Sequence, residues 1–137
     1  MFKTVLFPID RSREAQEAAQ AVVNVVKTYN SRLVLLSVVE KPTEGQETRP
    51  PEAMMSPEAV AQLLVSAQNM FSEQGIESET IEREGQPPFV ICDVADELNA
   101  DLIVMGCRGI GLTEEGGTDS VTYRVINLSP CPVLIVP

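Results

Sequence analysis

Three groups of residues in this chain have types and spacing suited to binding chemistry. Asp10 follows Pro8 and Ile9 at the end of a short apolar run. Gly106 and Gly109 frame Cys107 and Arg108 directly after the run Asp101-Leu102-Ile103-Val104-Met105. Ser120 precedes Val121 and a last helical pattern. Glycines after a strand let backbone N–H groups approach an anion closely. A helix start adds its positive end and a hydroxyl. A carboxylate accepts hydrogen bonds from sugar hydroxyls or a base. Together the groups suit a mononucleotide. Each also has a plainer structural role: the glycines as a tight turn, Asp10 as a cap or turn former. The Gly-x-Gly-x-x-Gly fingerprint after the first strand is absent, as is a Walker sequence ending in Gly-Lys-Ser/Thr.

Other chemistries are excluded by composition. The chain contains no histidine, which removes His-based acid–base catalysis, Ser–His and Cys–His nucleophiles and most zinc sites. With 10 Lys+Arg against 20 Asp+Glu the net charge is −10, lacking the basic footprint of nucleic-acid or anionic-membrane binding. At 137 residues, 44% apolar and 22% charged, the sequence suits one globular domain over 1–137. The three cysteines, Cys92, Cys107 and Cys131, have no C-x-x-C spacing and read as free thiols in a reducing cytosol. Cys92 and Cys131 fall in apolar stretches and are expected in the core, whereas Cys107 sits beside glycines in a loop. No run is long enough for a membrane span, and no signal peptide is apparent; a soluble, cytoplasmic protein is expected.

The elements that must position these groups follow from periodicity. Lys3 to Ile9 reads as a strand stopped by Pro8 and Asp10. Ser12, an N-cap, and Glu14 in the first turn open a helix with Ala15, Ala18, Ala19, Val22, Val26 and Tyr29 on one face. Arg32 to Val39 is nearly continuous in apolar residues, as in a parallel strand covered on both sides. Glu40 to Met55, with Pro42, Gly45, Pro50 and Pro51 among charges, is a connection. Ser56-Pro57-Glu58 starts a second helix, whose stripe is Leu63, Leu64, Ala67, Met70 and Phe71 and which ends at Gly75. Ile76 to Glu84 is a charged edge strand. A helix buries Val90, Ile91, Val94, Ala95 and Leu98 and closes at Asn99. The strand Asp101 to Met105, the stretch Gly106 to Gly117, a helix from about Ser120 to Leu128 and the strand Val133 to Val136 complete the chain. This alternation predicts an α/β fold: an open parallel sheet with helices on both faces. Ligands of such folds sit beyond the carboxyl ends of strands where the strand order reverses. If the first and fourth strands are neighbours, Asp10 and Gly106 flank one crevice.

Three segments carry a resemblance over essentially the whole chain. They are Val-Leu-Phe-Pro-Ile-Asp-Arg-Ser at 5–12, Asp-Leu-Ile-Val-Met-Gly-Cys-Arg-Gly at 101–109 and Ser-Pro-Cys-Pro-Val-Leu-Ile-Val-Pro at 129–137. In these the chain resembles the universal stress proteins of the small, single-domain type. The resemblance implies a five-stranded, Rossmann-like sheet of order 3-2-1-4-5, of the adenine nucleotide alpha hydrolase-like kind. It implies AMP, ADP or ATP in the crevice of a regulatory stress-response protein, and a homodimer paired through Val133–Val136. The nucleotide-binding branch carries Gly-x2-Gly-x9-Gly-Ser/Thr. Here Gly106, Gly109 and Ser120 match, and Asp119 replaces the third glycine. A shifted register would use Gly117 and Thr118; the unshifted one keeps the family's span from Ser120 to Cys131-Pro132.

By the family's roles, Asp10, beside Pro8 and Ile9, would contact ribose or base, and the Val38 backbone would read adenine. Met105, Gly106, Arg108, Gly109, Ser120 and Val121 would line the phosphate and ribose side. One arginine there faces Glu114, Glu115 and Asp119. That balance favours fewer phosphates unless the acids point to solvent or Mg²⁺ bridges acids and phosphates. The alternative is a nucleotide-free interaction module whose site Asp119 closes. Without lysine in the loop or histidine anywhere, enzymatic activity extends at most to slow ATP hydrolysis.

Overall fold

The computed structural model of the chain describes residues 2–10, 13–40, 56–106 and 121–137. The elements run β1 (Thr4–Pro8), α1 (Arg13–Tyr29), β2 (Arg32–Glu40), α2 (Pro57–Glu73), β3 (Ser78–Gly85), α3 (Pro87–Leu98), β4 (Leu102–Gly106), α4 (Val121–Leu128) and β5 (Val133–Val136). The five strands form one sheet of order β3-β2-β1-β4-β5, and every pairing is parallel. The α/β class is as the alternation of elements predicts, and the strand order is the one the family resemblance implies. The expected N-cap Ser12 and the connection from 41 to 55 lie outside the described residues.

Side-chain alternation along the strands divides the core into two layers. Val5 and Phe7 of β1, Leu33 and Leu35 of β2, and Leu102 and Val104 of β4 pack under α1 and α2. Leu6, Val34, Leu36, Ile103 and Met105 pack on the opposite face, under α3 and α4. Burial on both faces explains why β1, β2 and β4 read as continuous apolar runs. Under α2, the rings of Phe7 and Phe71 meet edge to face, with centroids 6.1 Å apart.

The helix ends follow local chemistry. Ser56 is extended, and its hydroxyl accepts the Ala59 N–H at 3.2 Å. Pro57 occupies the first turn of α2, where a missing N–H costs nothing. Helix α3 closes at Asn99, whose left-handed backbone (φ 50°) suits a residue that tolerates that region. At the last position of β3, Gly85 has φ 147°, and a Cβ there would meet Val90 Cγ2 at 2.9 Å. That position therefore requires glycine.

Several expectations differ in detail. Strand β3 begins at Ser78 rather than Ile76, although Ile76 is itself buried. Strand β1 spans Thr4–Pro8 rather than Lys3 to Ile9, and β4 ends at Gly106 rather than Met105. Met70 is 38% exposed, not core, because Val60, Leu64 and Phe71 already fill the sheet-facing side of α2. Cys131 is only half-buried; Cys92 is in the core as expected.

Candidate functional site

Strands β1 and β4 are neighbours, yet they pair only at Val5–Leu102 and Leu6–Ile103 among the described residues. Beyond that, β1 continues its ladder with β2 up to Pro8–Leu36, and β4 continues with β5 up to Gly106–Val136. The chain leaves β1 toward α1 on one face and leaves β4 toward α4 on the other. The strand order reverses between β1 and β4, the place beyond whose carboxyl ends open parallel sheets bind ligands. The strands leading to Asp10 and Gly106 flank it.

Each described residue singled out from sequence has a definite place in the fold. Pro8, half-buried, ends β1, a position where its missing N–H costs the ladder little. Ile9 is buried, and its N–H donates to the Leu36 carbonyl at 2.8 Å, which holds the segment against β2 for one more residue. Asp10 follows at the exposed rim. Val38 lies in β2, level with Arg83 of β3, and is half-buried on the α3/α4 face. Met105 is buried and Val121 half-buried on that same face, so Val38, Met105 and Val121 share one apolar layer. Ile9 belongs to the layer on the other side. Arg108, Gly109 and Ser120 lie outside the described residues, as do Cys107, Glu114, Glu115, Gly117, Thr118 and Asp119.

Thr122 is not legible as a site residue from sequence. Its hydroxyl donates to the Gly106 carbonyl at 3.3 Å and ties the first turn of α4 to the end of β4. The only sequence signal is a hydroxyl two residues after Ser120. Ser37, 2% exposed between Leu36 and Val38, is equally hidden, because a lone serine in an apolar run carries no pattern.

Arg83, level with Val38, is paired with Glu97 at 3.2 Å. No cluster of three or more metal-ligating side chains occurs among the described residues. Burial pushes the Cys92 thiol above its ordinary value, with Asp93 adding to the effect. Burial likewise raises Cys131, against a lowering hydrogen bond from Ser129. Both thiols are therefore poor nucleophiles at neutral pH. No helix among the described residues is long and apolar enough to cross a membrane.

Comparisons with known proteins agree with this architecture. The sequence pattern of the universal stress protein family matches residues 1–137. The universal stress protein Sll1654 of Synechocystis is 67% identical over 137 residues, covering 100% of this chain and 87% of that protein. A solved universal stress protein in complex with cAMP has a TM-score of 0.77 and 25% identity over 98% of this chain and 96% of its own. Another, from Archaeoglobus fulgidus in complex with dAMP, has a TM-score of 0.73 and 22% identity over the full length of both chains; that likeness concerns the fold. From the whole-chain family match and the close Synechocystis relative, the chain belongs to the universal stress protein family.

Proposed function

We propose that the protein binds an adenine nucleotide in the crevice between β1 and β4 and acts as a regulatory binding protein in the cytoplasm. The observation that carries this reading is the parting of the two strands beyond Leu6 and Ile103, with Asp10 at one lip and Gly106 at the other. Asp10 would accept from ribose hydroxyls or the base, with Pro8 and Ile9 setting its position. The backbone at Val38 would read the adenine edge, over the apolar layer of Met105 and Val121. Gly106, with Arg108, Gly109 and Ser120, would take the phosphate side. The cAMP held by one related structure supports a ligand with one phosphate.

Phosphate number is where this chain departs from the family's pattern. Arg108 faces Glu114, Glu115 and Asp119 along the same stretch of sequence. Like charges a few ångströms apart cost on the order of 1–4 kcal/mol at partly screened sites. Each added phosphate brings more anionic charge toward those acids, so affinity falls from AMP to ADP to ATP, and Mg²⁺ narrows the gap.

Calorimetry with the three nucleotides, with and without Mg²⁺, tests both points. The expected result is heat of binding with AMP and a weaker response to metal-free ATP. No heat from any of them at millimolar concentration overturns the proposal. Heat that emerges only in an Asp119→Gly variant assigns the native chain to the nucleotide-free interaction class instead.

We also propose a homodimer through β5. Among the described residues no strand pairs with its outer edge, and Leu134 is 37% exposed. A short apolar edge of this kind favours a pairing partner. Light scattering at micromolar concentration is expected to give twice the mass of 14.9 kDa; a monomeric mass contradicts it.

A further inference from the structure

A recess opens at the amino end of the sheet, the end opposite Asp10 and Gly106. It lies between the turn from α1 into β2 and the turn from α2 into β3. Its volume is about 640 Å³, within the range of small-molecule sites. The chain builds it by leaving both helices abruptly. Asn30 (φ 52°) and Gly75 (φ 80°) take left-handed backbone there. A Cβ on Gly75 would meet nothing within 4 Å, which leaves open space at that turn. Val26, Leu33 and Ile76 line the recess and are themselves buried, giving it an apolar floor.

The rim carries charges of both signs. Arg32 and Glu79 answer each other, with Arg32 Nη2 donating to Glu79 Oε1 at 2.9 Å. Lys27 and Glu77 are exposed and have no ion-pair partner among the described residues. The helix ends sharpen this division. The carbonyl ends of α1 and α2 both arrive here with partial negative charge. Lys27 sits in the last turn of α1 and offsets it, whereas the last turn of α2 has no basic residue. One wall is therefore cationic at Lys27, and the other is anionic at Glu77 and the end of α2. In that second wall the Ser78 hydroxyl is buried without a hydrogen-bond partner, the one such side-chain atom among the described residues. Buried polar groups ordinarily find partners, and a change of χ1 rotamer turns this one toward a group held in the recess.

We propose that this recess binds a small zwitterion with an apolar body, an aliphatic amino acid. Its ammonium meets Glu77 and the carbonyl end of α2, and its carboxylate meets Lys27. The side chain lies on Val26, Leu33 and Ile76, and the Ser78 hydroxyl gains its partner. A net-neutral ligand suits a lining that balances Lys27 and Arg32 against Glu77 and Glu79. The site lies at the other end of the strands from the nucleotide crevice and does not require that a nucleotide bind.

Leucine is the probe, followed by backbone amide shifts of the full chain. Isoamylamine, which lacks its carboxylate, and isocaproate, which lacks its ammonium, are the controls. Leucine is expected to shift residues 26–33 and 75–79 and to bind about ten-fold tighter than either control, because each control loses one charge-assisted hydrogen bond. Two substitutions at exposed positions separate the roles. Glu77→Gln is expected to weaken leucine about ten-fold and leave isocaproate unchanged. Lys27→Gln is expected to weaken leucine by a similar factor and leave isoamylamine unchanged. Ser78→Ala is expected to weaken leucine about three-fold without lowering the melting temperature, because no hydrogen bond within the protein is lost. AMP titration should read as in the native protein for all three. The proposal is overturned by no shifts in these segments at about 20 mM leucine, by equal binding of leucine and either control, or by leucine binding that survives both charge substitutions. AMP heats read separately: their absence in the native protein sinks the nucleotide proposal and leaves this one standing.

Discussion

The two ends of the sheet are built differently. At the amino end the strands are laced together. The Thr4 N–H donates to Asp101 Oδ2 at 2.9 Å, and the Asp101 N–H donates back to the Thr4 carbonyl at 2.8 Å. The Arg32 N–H reaches the Lys3 carbonyl at 2.7 Å, the Ser31 hydroxyl donates to the Phe2 carbonyl, and Arg32 grips Glu79 across the β2–β3 edge. Phe2 and Tyr29 stack edge to face at 5.1 Å. Toward the carboxyl end, the Ile9 N–H bonds to the Leu36 carbonyl and the Thr122 hydroxyl to the Gly106 carbonyl. The amino end is therefore laced across β4, β1, β2 and β3, whereas toward the carboxyl end β1 and β4 no longer pair beyond Leu6 and Ile103 among the described residues. Stability and nucleotide binding should separate along the strand axis.

Substitutions at the two ends can break this contrast. The largest effect is expected from Asp101→Ala, which removes a charged acceptor from a partly buried backbone N–H. Bonds of that kind contribute about 1.5–3 kcal/mol, so denaturant unfolding should show a loss of this size with AMP affinity unchanged. Asp10→Ala should act on binding instead: about ten-fold weaker AMP binding, roughly 1.4 kcal/mol. Thr122→Val comes next, since its bond is long and sits at the low end of the usual range, about 0.5 kcal/mol. Calorimetry should register this as a roughly two-fold loss of AMP affinity by loosening the phosphate side.

The smallest effect belongs to the exposed Arg32–Glu79 pair. The Arg32 hydrogen bond holds the Glu79 carboxyl below its ordinary value of 4.5. A depressed carboxylate contributes stability above its unfolded pKa, and that contribution is lost as pH falls through the folded one. Solvent screening keeps the contribution small. Glu79→Gln should therefore lower stability slightly at neutral pH and leave it unchanged at low pH, so that the acid side of the profile flattens. A large loss at neutral pH would mean that the amino end depends on this pair more than its exposure allows.

How much of this is legible in sequence depends on whether a feature is periodic or relational. The continuous apolarity of Arg32 to Val39 and the Ser56-Pro57 start are local signals, and both elements form where expected. Strand order is implied by the family resemblance, and the structure agrees with it. The tie from Thr122 to Gly106 is invisible in sequence, because it joins two segments separated by residues 107–120 and neither carries a pattern. Met70 is misplaced by periodicity because helical spacing cannot tell the centre of an apolar stripe from its margin. A recess lined by Ala15 and Ala19 of α1 and Ala67 of α2 is hidden for a related reason. Small residues look like ordinary helix formers until two helices face each other across them.

The most direct measurement is an AMP titration followed residue by residue through backbone amide shifts. The account predicts that Asp10, Val38, Gly106 and Val121 move together and saturate, while Thr4, Arg32 and Asp101 at the opposite end stay fixed. Shifts centred on Thr4, Arg32 and Asp101, or none at either end at millimolar AMP, would contradict it.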